Sequence, residues 1–351
     1  MFTVAPAQND HLPALRVALS VAAPSLVLLA LGRPDLIIYA VFGAFTAMYG
    51  RAESHQLRLR HQLQASCLLV AGVGTGILLS AHHVDTWALV ATEAAFAALA
   101  SLQADRAGLR PVGPFFSIFA LGACASVPLS IAPWAALLIT AGSAAFSVLV
   151  GFAGWTRTRS WVPGAVRQVP PLRGPYLAGA ATQAGRYLIA VAAAGGIGLL
   201  AGIGHPHWAM AAAAVPLAVE GTRRRVYRGI HRILGTFAGL GVTALVLFAD
   251  LNPTVLALLV IAFQFPTELY MARHYGLALV FFTPLILIMT QLAAPADTAS
   301  LIVNRGLETF LGALAGIATV LLLRSPPNKS SSWISTLSLI GGRAGGSAGE
   351  R

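Results

Sequence analysis

Apolar runs of about one membrane thickness recur along the whole chain, separated by short polar stretches that hold most of its arginines, prolines and turn glycines. A helix needs roughly 20 mostly apolar residues to cross the hydrocarbon core while keeping its backbone hydrogen bonds internal. Runs of that kind fall near 14–31, 34–50, 62–81, 86–104, 111–129 and 132–154. A second set falls near 184–203, 206–221, 231–249, 253–271, 274–293 and 302–323. The pattern predicts an all-α, polytopic membrane protein of about twelve transmembrane helices. Pro24, Pro114, Pro216, Pro266 and Pro284 interrupt several runs, so individual ends are free to move.

The two sets repeat one another. Laying Arg16 on Arg186 puts Gly32 on Gly202 at the same offset of 170, and Gly50 then falls one residue from Gly221. Each half continues into a basic loop, Arg51 to His55 and Arg58 to His61 in the first, Arg223 to Arg228 and His231-Arg232 in the second. Halves with an even number of spans are parallel repeats related by an axis along the membrane normal. The expected organisation is therefore a six-helix repeat at 1–154, a Pro- and Arg-rich cytoplasmic linker at 155–183, a second six-helix repeat at 184–324 and a disordered cytoplasmic tail at 325–351. Small residues at helical spacing, Gly198 with Gly202, Gly235 with Gly239 and Gly312 with Gly316, predict close helix packing.

Composition agrees with a membrane protein: 57% of the 351 residues are hydrophobic and 10% charged. Soluble domains carry about 25% charge. Lys and Arg number 23 against 12 Asp and Glu, and the one lysine is Lys329. A net charge of +11 raises nucleic acid as a partner. The arginines sit in short clusters between apolar runs instead, which argues against that class. Nearly all of them, from Arg51, Arg58 and Arg60 to Arg223, Arg224, Arg225, Arg228, Arg232 and Arg273, fall on one side of the predicted topology, against Arg33 and Arg305 on the other. By the positive-inside rule both termini are cytoplasmic. Trp87, Trp134 and Trp208 are expected at the outer interface and Trp155 and Trp161 at the inner one. No basic region precedes the first apolar run, so that run is read as a helix and not as a cleaved signal.

Several chemistries lack their motifs. No Gly-rich loop ends in Lys-Ser or Lys-Thr, so ATP-driven pumping by a Walker A loop is not expected, and no serine elbow, His-Glu-x-x-His or Cys-x-x-Cys is present. The reading is a non-enzyme without a cofactor. Cys67 and Cys124 lie in apolar segments as structural thiols. His82, His83, His205 and His207 are placed in outer loops, as solvated histidines or, alternatively, a weak metal site.

A charge inside the bilayer costs about 2.5 to 3.5 kcal/mol on insertion scales, so such residues face a cavity or a partner. Arg16 and Arg186 occupy equivalent places near the inner end of each half's first helix, where snorkelling to the interface is the simpler reading. Glu93 lies mid-segment, as a polar contact or a proton site. Glu220 and Glu268 each close a span just before an arginine and would pair with it or carry a proton. Arg305 and Glu308 share one helical face at i, i+3, as an ion pair, an interfacial anchor or an anion contact.

Three ordered motifs in the second half resemble the fusaric acid resistance protein-like (FUSC) family of integral membrane transporters. They are Arg225-Val-Tyr-Arg-Gly-Ile-His231-Arg232-Ile-Leu-Gly235-Thr236, Tyr275-Gly-Leu-Ala-Leu-Val-Phe-Phe-Thr283 and Arg305-Gly-Leu-Glu308-Thr-Phe-Leu-Gly312. The first half has only the degenerate Arg58-Leu-Arg-His-Gln-Leu. The resemblance implies inner-membrane efflux of aromatic or other organic carboxylate anions, with anion channels among distant relatives. On this reading Arg186, Arg232 and Arg305 are the substrate-binding candidates, because a planar guanidinium meets a carboxylate with two parallel hydrogen bonds. Glu220, Glu268 and Glu308 are the proton-coupling candidates. Partners are a small organic anion and the lipid bilayer. A channel of the same fold, a non-transporting scaffold for a cell-envelope partner and a homo-oligomer stay open.

Overall fold

A computed structural model of the protein describes residues 10–51, 53–153, 173–202 and 206–323. The expected tail at 325–351, most of the linker, Trp155, Trp161 and His205 lie outside the described residues. Among the described residues the chain forms twelve α-helices and no strand. The first half holds α1 (His11–Ala30), α2 (Ile37–Ala44), α3 (His55–Ala81), α4 (Thr86–Ala107), α5 (Phe115–Ser126) and α6 (Pro133–Ala153). The second holds α7 (Gly174–Leu200), α8 (Pro206–Ala214), α9 (Thr222–Leu247), α10 (Pro253–Met271), α11 (Tyr275–Ala293) and α12 (Thr298–Leu322).

Nine of these helices are long and apolar enough to cross a membrane. The other three of the twelve helices, α2, α5 and α8, are shorter than that measure. Helix α2 is flanked by 3-10 turns at Pro34–Leu36 and Phe45–Met48, and α8 gives way to a 3-10 turn at Pro216–Ala218. Pro216 has no N–H to return to the preceding turn, so the α-helical ladder cannot pass through it. Arg51 lies outside the helices as expected, but the basic runs after His55 and Gly221 are helical. Helix α3 begins at His55 and α9 at Thr222, ahead of their arginines, and α7 begins at Gly174, inside the expected linker. Arginine is a good helix former whose long stem lies along the helix surface while its head reaches out, so a basic run extends a helix without breaking it.

Polar side chains fix several helix starts by taking up the unpaired first-turn N–H groups. Asp85 accepts from the N–H of Trp87 and Ala88, Asn252 from Val255, and Asp297 from Ser300. His274 does the same for Leu277 through Nδ1.

Packing is dominated by a few pairs. In the first half α3 lies on α5 and α6, and α2 on α6; in the second, α9 lies on α11 and α12, and α8 on α12. Between the halves α4 packs on α7 and α1 on α10, while α5 meets α8 and α2 meets α11. Gly32 and Gly202 follow α1 and α7 with the same left-handed φ of +69°. Of the three expected close-packing glycine pairs, two meet a neighbouring backbone. A Cβ on Gly235 or Gly239 would strike the carbonyl of Gly276 or Leu279 on α11, and one on Gly312 or Gly316 the carbonyl of Ala209 or Ala213 on α8. Gly198 has only ordinary contact with Pro206 and Gly202 has open space, so that pair serves the helix end instead.

The short helices occupy the centre. Every residue of α2 and α8 is buried, as expected of helices apolar on all sides. Phe42, Phe45, Phe116, Phe119, Phe282 and Trp208 join the halves there, ring to ring. The outward faces are apolar as well, with Leu99, Leu138, Leu149 and Leu245 each more than 60% exposed, a surface that suits lipid.

Candidate functional site

Arginines tie the two halves together at one end of the bundle. Arg51, after α2, donates from Nη1 to the Glu268 carbonyl at 2.6 Å and to its carboxylate at 3.1 Å. Arg273 donates to Asp10 at 3.0 Å, and Arg58 donates to the carbonyls of Gly50, Glu53 and Gly151. Glu268 therefore pairs with an arginine of the other half and not with its neighbour Arg273. Arg16 donates to the Arg51 carbonyl, and Arg186 donates to the Leu323 carbonyl at 2.7 Å and to Gln183. Arg186 thus secures the end of α12. Glu220 lies exposed on the surface. At the opposite end Arg33 and Ser130 both bond Asp35. The Arg33 guanidinium beside it holds the Asp35 carboxyl below the usual carboxylate range.

Away from these ends, three motifs separated by as much as 80 residues in the chain meet inside the protein. Arg228 and Arg232 are one turn apart on α9, Tyr275 opens α11, and Arg305 and Glu308 lie one turn apart on α12. Arg232, Arg305 and Glu308 are each at most 1% exposed. Each guanidinium lies against an aromatic ring. The Arg228 Cζ is 3.5 Å from the Tyr275 ring centroid, Arg305 is 3.9 Å from Trp208, and Arg232 is 5.1 Å from Phe115. The charges of Arg232 and Glu308 both act on Arg305. Trp208, expected at the outer interface, is 2% exposed and floors this chamber; Trp87 and Trp134 are exposed as interfacial residues should be.

The chamber is short of acceptors. Arg228 Nε, Arg232 Nε and Nη2, and Arg305 Nε and Nη1 are buried with no hydrogen-bond partner among the described residues. Arg232 Nη1 makes only a long bond to the Tyr275 hydroxyl, at 3.4 Å. Buried N–H groups are almost always paired, and leaving a charged one unpaired costs more than leaving a neutral one. Three guanidinium groups to one carboxylate leave net positive charge around these donors. An anion with two coplanar oxygens matches that donor set.

Two of the three arginines singled out from sequence, Arg232 and Arg305, and one of the three glutamates, Glu308, meet here; Arg186, Glu220 and Glu268 do not. Arg228, Tyr275, Trp208 and Phe115 were not singled out. The spacing of Arg228 four residues before Arg232 was the available signal, since it places both on one helical face. On α3 and α6, the first-half pair that corresponds in order to α9 and α12, the buried polar residues are His61, Gln62, Thr140, Ser143 and Ser147, with no arginine or carboxylate among them.

Residues 191–319 match the fusaric acid resistance protein-like family. The matched stretch contains Trp208, Arg228, Arg232, Tyr275, Arg305 and Glu308, and leaves Phe115 outside. No curated protein and no solved structure matches the chain. Over that stretch the chain is similar to the family, and nine of its helices are long and apolar enough to cross a membrane.

Proposed function

We propose that this chain, whose residues 191–319 match the fusaric acid resistance protein-like family, is a plasma-membrane transporter that exports aromatic or other organic carboxylate anions. The observation that carries the proposal is the meeting of half-buried Arg228 and buried Arg232 and Arg305 in one cluster among aromatic rings, with unpaired N–H groups. Arg232 and Arg305 hold the carboxylate, while Trp208 and Phe115 face the ring of an aromatic substrate. Arginines at the cytoplasmic end, where both termini lie, raise the local anion concentration. A negative-inside potential then favours export of a monoanion by about 2.3 kcal/mol per 100 mV.

The architecture proposed with it is two parallel six-helix repeats. The main packing pairs within the first half have counterparts in the second, and of the cross-half pairs α1 on α10 corresponds to α4 on α7, and α2 on α11 to α5 on α8. Gly32 and Gly202 share their φ. Short helices at matching places in two halves are where transporters of repeated build place their sites, and α8, one of that pair, supplies Trp208 to the chamber.

Equilibrium binding to the purified protein tests this reading. Benzoate is expected to bind and benzamide, its neutral counterpart of the same shape, to bind at least tenfold more weakly, roughly the worth of one charge-assisted bond. Equal affinity for the two would remove the chamber from the account. Flux that fails to saturate would move the reading to a channel of the same fold.

A further inference from the structure

A second buried polar site lies where α4, α5 and α8 meet. Glu93 is on α4, about 10 Å from the helix's first residue. It is 0% exposed, and neither carboxyl oxygen has a hydrogen-bond partner among the described residues. Gly122 of α5 makes room for it: a Cβ there would lie 2.7 Å from Glu93 Oε2 and 2.5 Å from His207 Cβ. Glu93 and His207 therefore border the same point. His207 is held by Ser126, whose Oγ is 2.9 Å from Nδ1 and donates to the Gly122 carbonyl, also at 2.9 Å. His207, expected in an outer loop, is on α8 and 2% exposed.

The helices around Glu93 bring few other ionisable groups. Helix α5 carries Cys124, which faces Gly76 of α3. Helix α7 approaches α4 here through Gly195, against Val90, and its Arg186 and Tyr187 lie two turns or more away along it. The ionisable residues of α3, from His55 to Cys67, belong to its first half. His207 is thus the titratable neighbour. An isolated carboxylate in such surroundings is costly unless something neutralises it. The Ser126 hydroxyl beside His207 has its proton committed to the Gly122 carbonyl. A metal cation that takes about six oxygens or more is not provided for. A proton is the ligand that fits.

Helix α8 connects this site to the arginine chamber through adjacent residues. The His207 and Trp208 rings are 4.8 Å apart, and Arg305 lies 3.9 Å over the other ring. We propose that Glu93 is a proton-binding site whose occupancy is communicated to the anion chamber through His207 and Trp208 on the buried helix α8. The communication rests on the anion reading above; proton binding at Glu93 does not.

Titration calorimetry of benzoate into the full-length protein in nanodiscs, in two buffers of different ionisation enthalpy, counts the protons exchanged on binding. The wild type is expected to exchange protons, with affinity changing by up to about tenfold per pH unit. In Glu93→Gln the count is expected to fall to zero and the affinity to stay within about twofold over the same pH range. A count unchanged in Glu93→Gln, or a wild type that binds benzoate without exchanging protons, overturns the coupling. Mapping of dicyclohexylcarbodiimide adducts on the wild type needs no anion and no variant. Reaction at Glu93 that fades as pH rises supports the proton site, whereas reaction at Glu268 or Glu308 with none at Glu93 overturns it. Should benzoate not bind the wild type, the anion reading falls and the labelling still decides Glu93.

Discussion

Replacing Arg305 by Met isolates what its charge contributes. The methionine keeps an unbranched apolar stem against the Trp208 ring, so the floor of the chamber is retained while the guanidinium is lost. In the free protein Arg305 is 1% exposed, carries two buried N–H groups without acceptors and feels the charge of Arg232. Replacing a whole buried ion pair or triad by packed apolar groups is often neutral or stabilising, by about 1 to 4 kcal/mol. Here the lost cation is one of three beside a single carboxylate, so its removal also relieves repulsion. Glu308 opposes this gain, because it loses the cation one turn before it. The net expectation is a melting temperature unchanged or raised in the absence of ligand. Binding moves the other way: truncating one partner of a buried charged pair costs about 2 to 5 kcal/mol, so benzoate affinity should fall thirty-fold or more. Thermal unfolding and calorimetry on the same sample read both. A variant that melts lower yet binds benzoate as the wild type does would refute the reasoning, since Arg305 would then be a structural residue.

Three further outcomes follow from packing and charge. Gly312→Ala places a methyl against the Ala209 carbonyl and should cost about 1 to 3 kcal/mol, whereas Gly198→Ala, with room around it, should melt with the wild type. A double-mutant cycle on Arg51→Gln and Glu268→Gln, followed by thermal unfolding, should give a coupling of about 1 to 3 kcal/mol across the two halves, and additive effects would deny the pair a role. Asp297 is held below its ordinary carboxyl range by the N–H and hydroxyl of Ser300. Its cap therefore contributes stability above the unfolded pKa, and that contribution is lost as pH falls through the folded one. Asp297→Ala should lower the melting temperature at pH 7 and make less difference near pH 3, and an equal difference at both would count against the cap.

Much of the fold can be read from the sequence because lipid removes alternatives: an apolar run that must satisfy its own backbone can only be a helix. All twelve runs became helices, and α10 begins and ends where its run does, at Pro253 and Met271. The errors have physical causes. The starts of α3 and α9 were misjudged because charge was taken as the mark of a loop, while Arg58 and Arg228 are carried on helices. The shortness of α2 and α8 was hidden because apolar character continues past the end of the helix into 3-10 turns. The arginines of the chamber were legible as charges out of place in apolar runs. Their aromatic partners were not: Trp208 near the edge of a run looks the same whether it faces headgroups or a guanidinium. The Arg51–Glu268 pair spans 217 residues, a separation over which no local pattern gives a signal.

Flux through proteoliposomes tests the central claim most directly. With the protein in sealed vesicles, benzoate movement is followed under an imposed potential, with and without a pH gradient, for the wild type and for Arg232→Gln reconstituted at the same level. The account predicts saturable benzoate flux in the wild type and its loss in Arg232→Gln. No flux of benzoate or of any related carboxylate under either gradient, from protein that remains folded, would contradict it and leave a membrane scaffold as the better description.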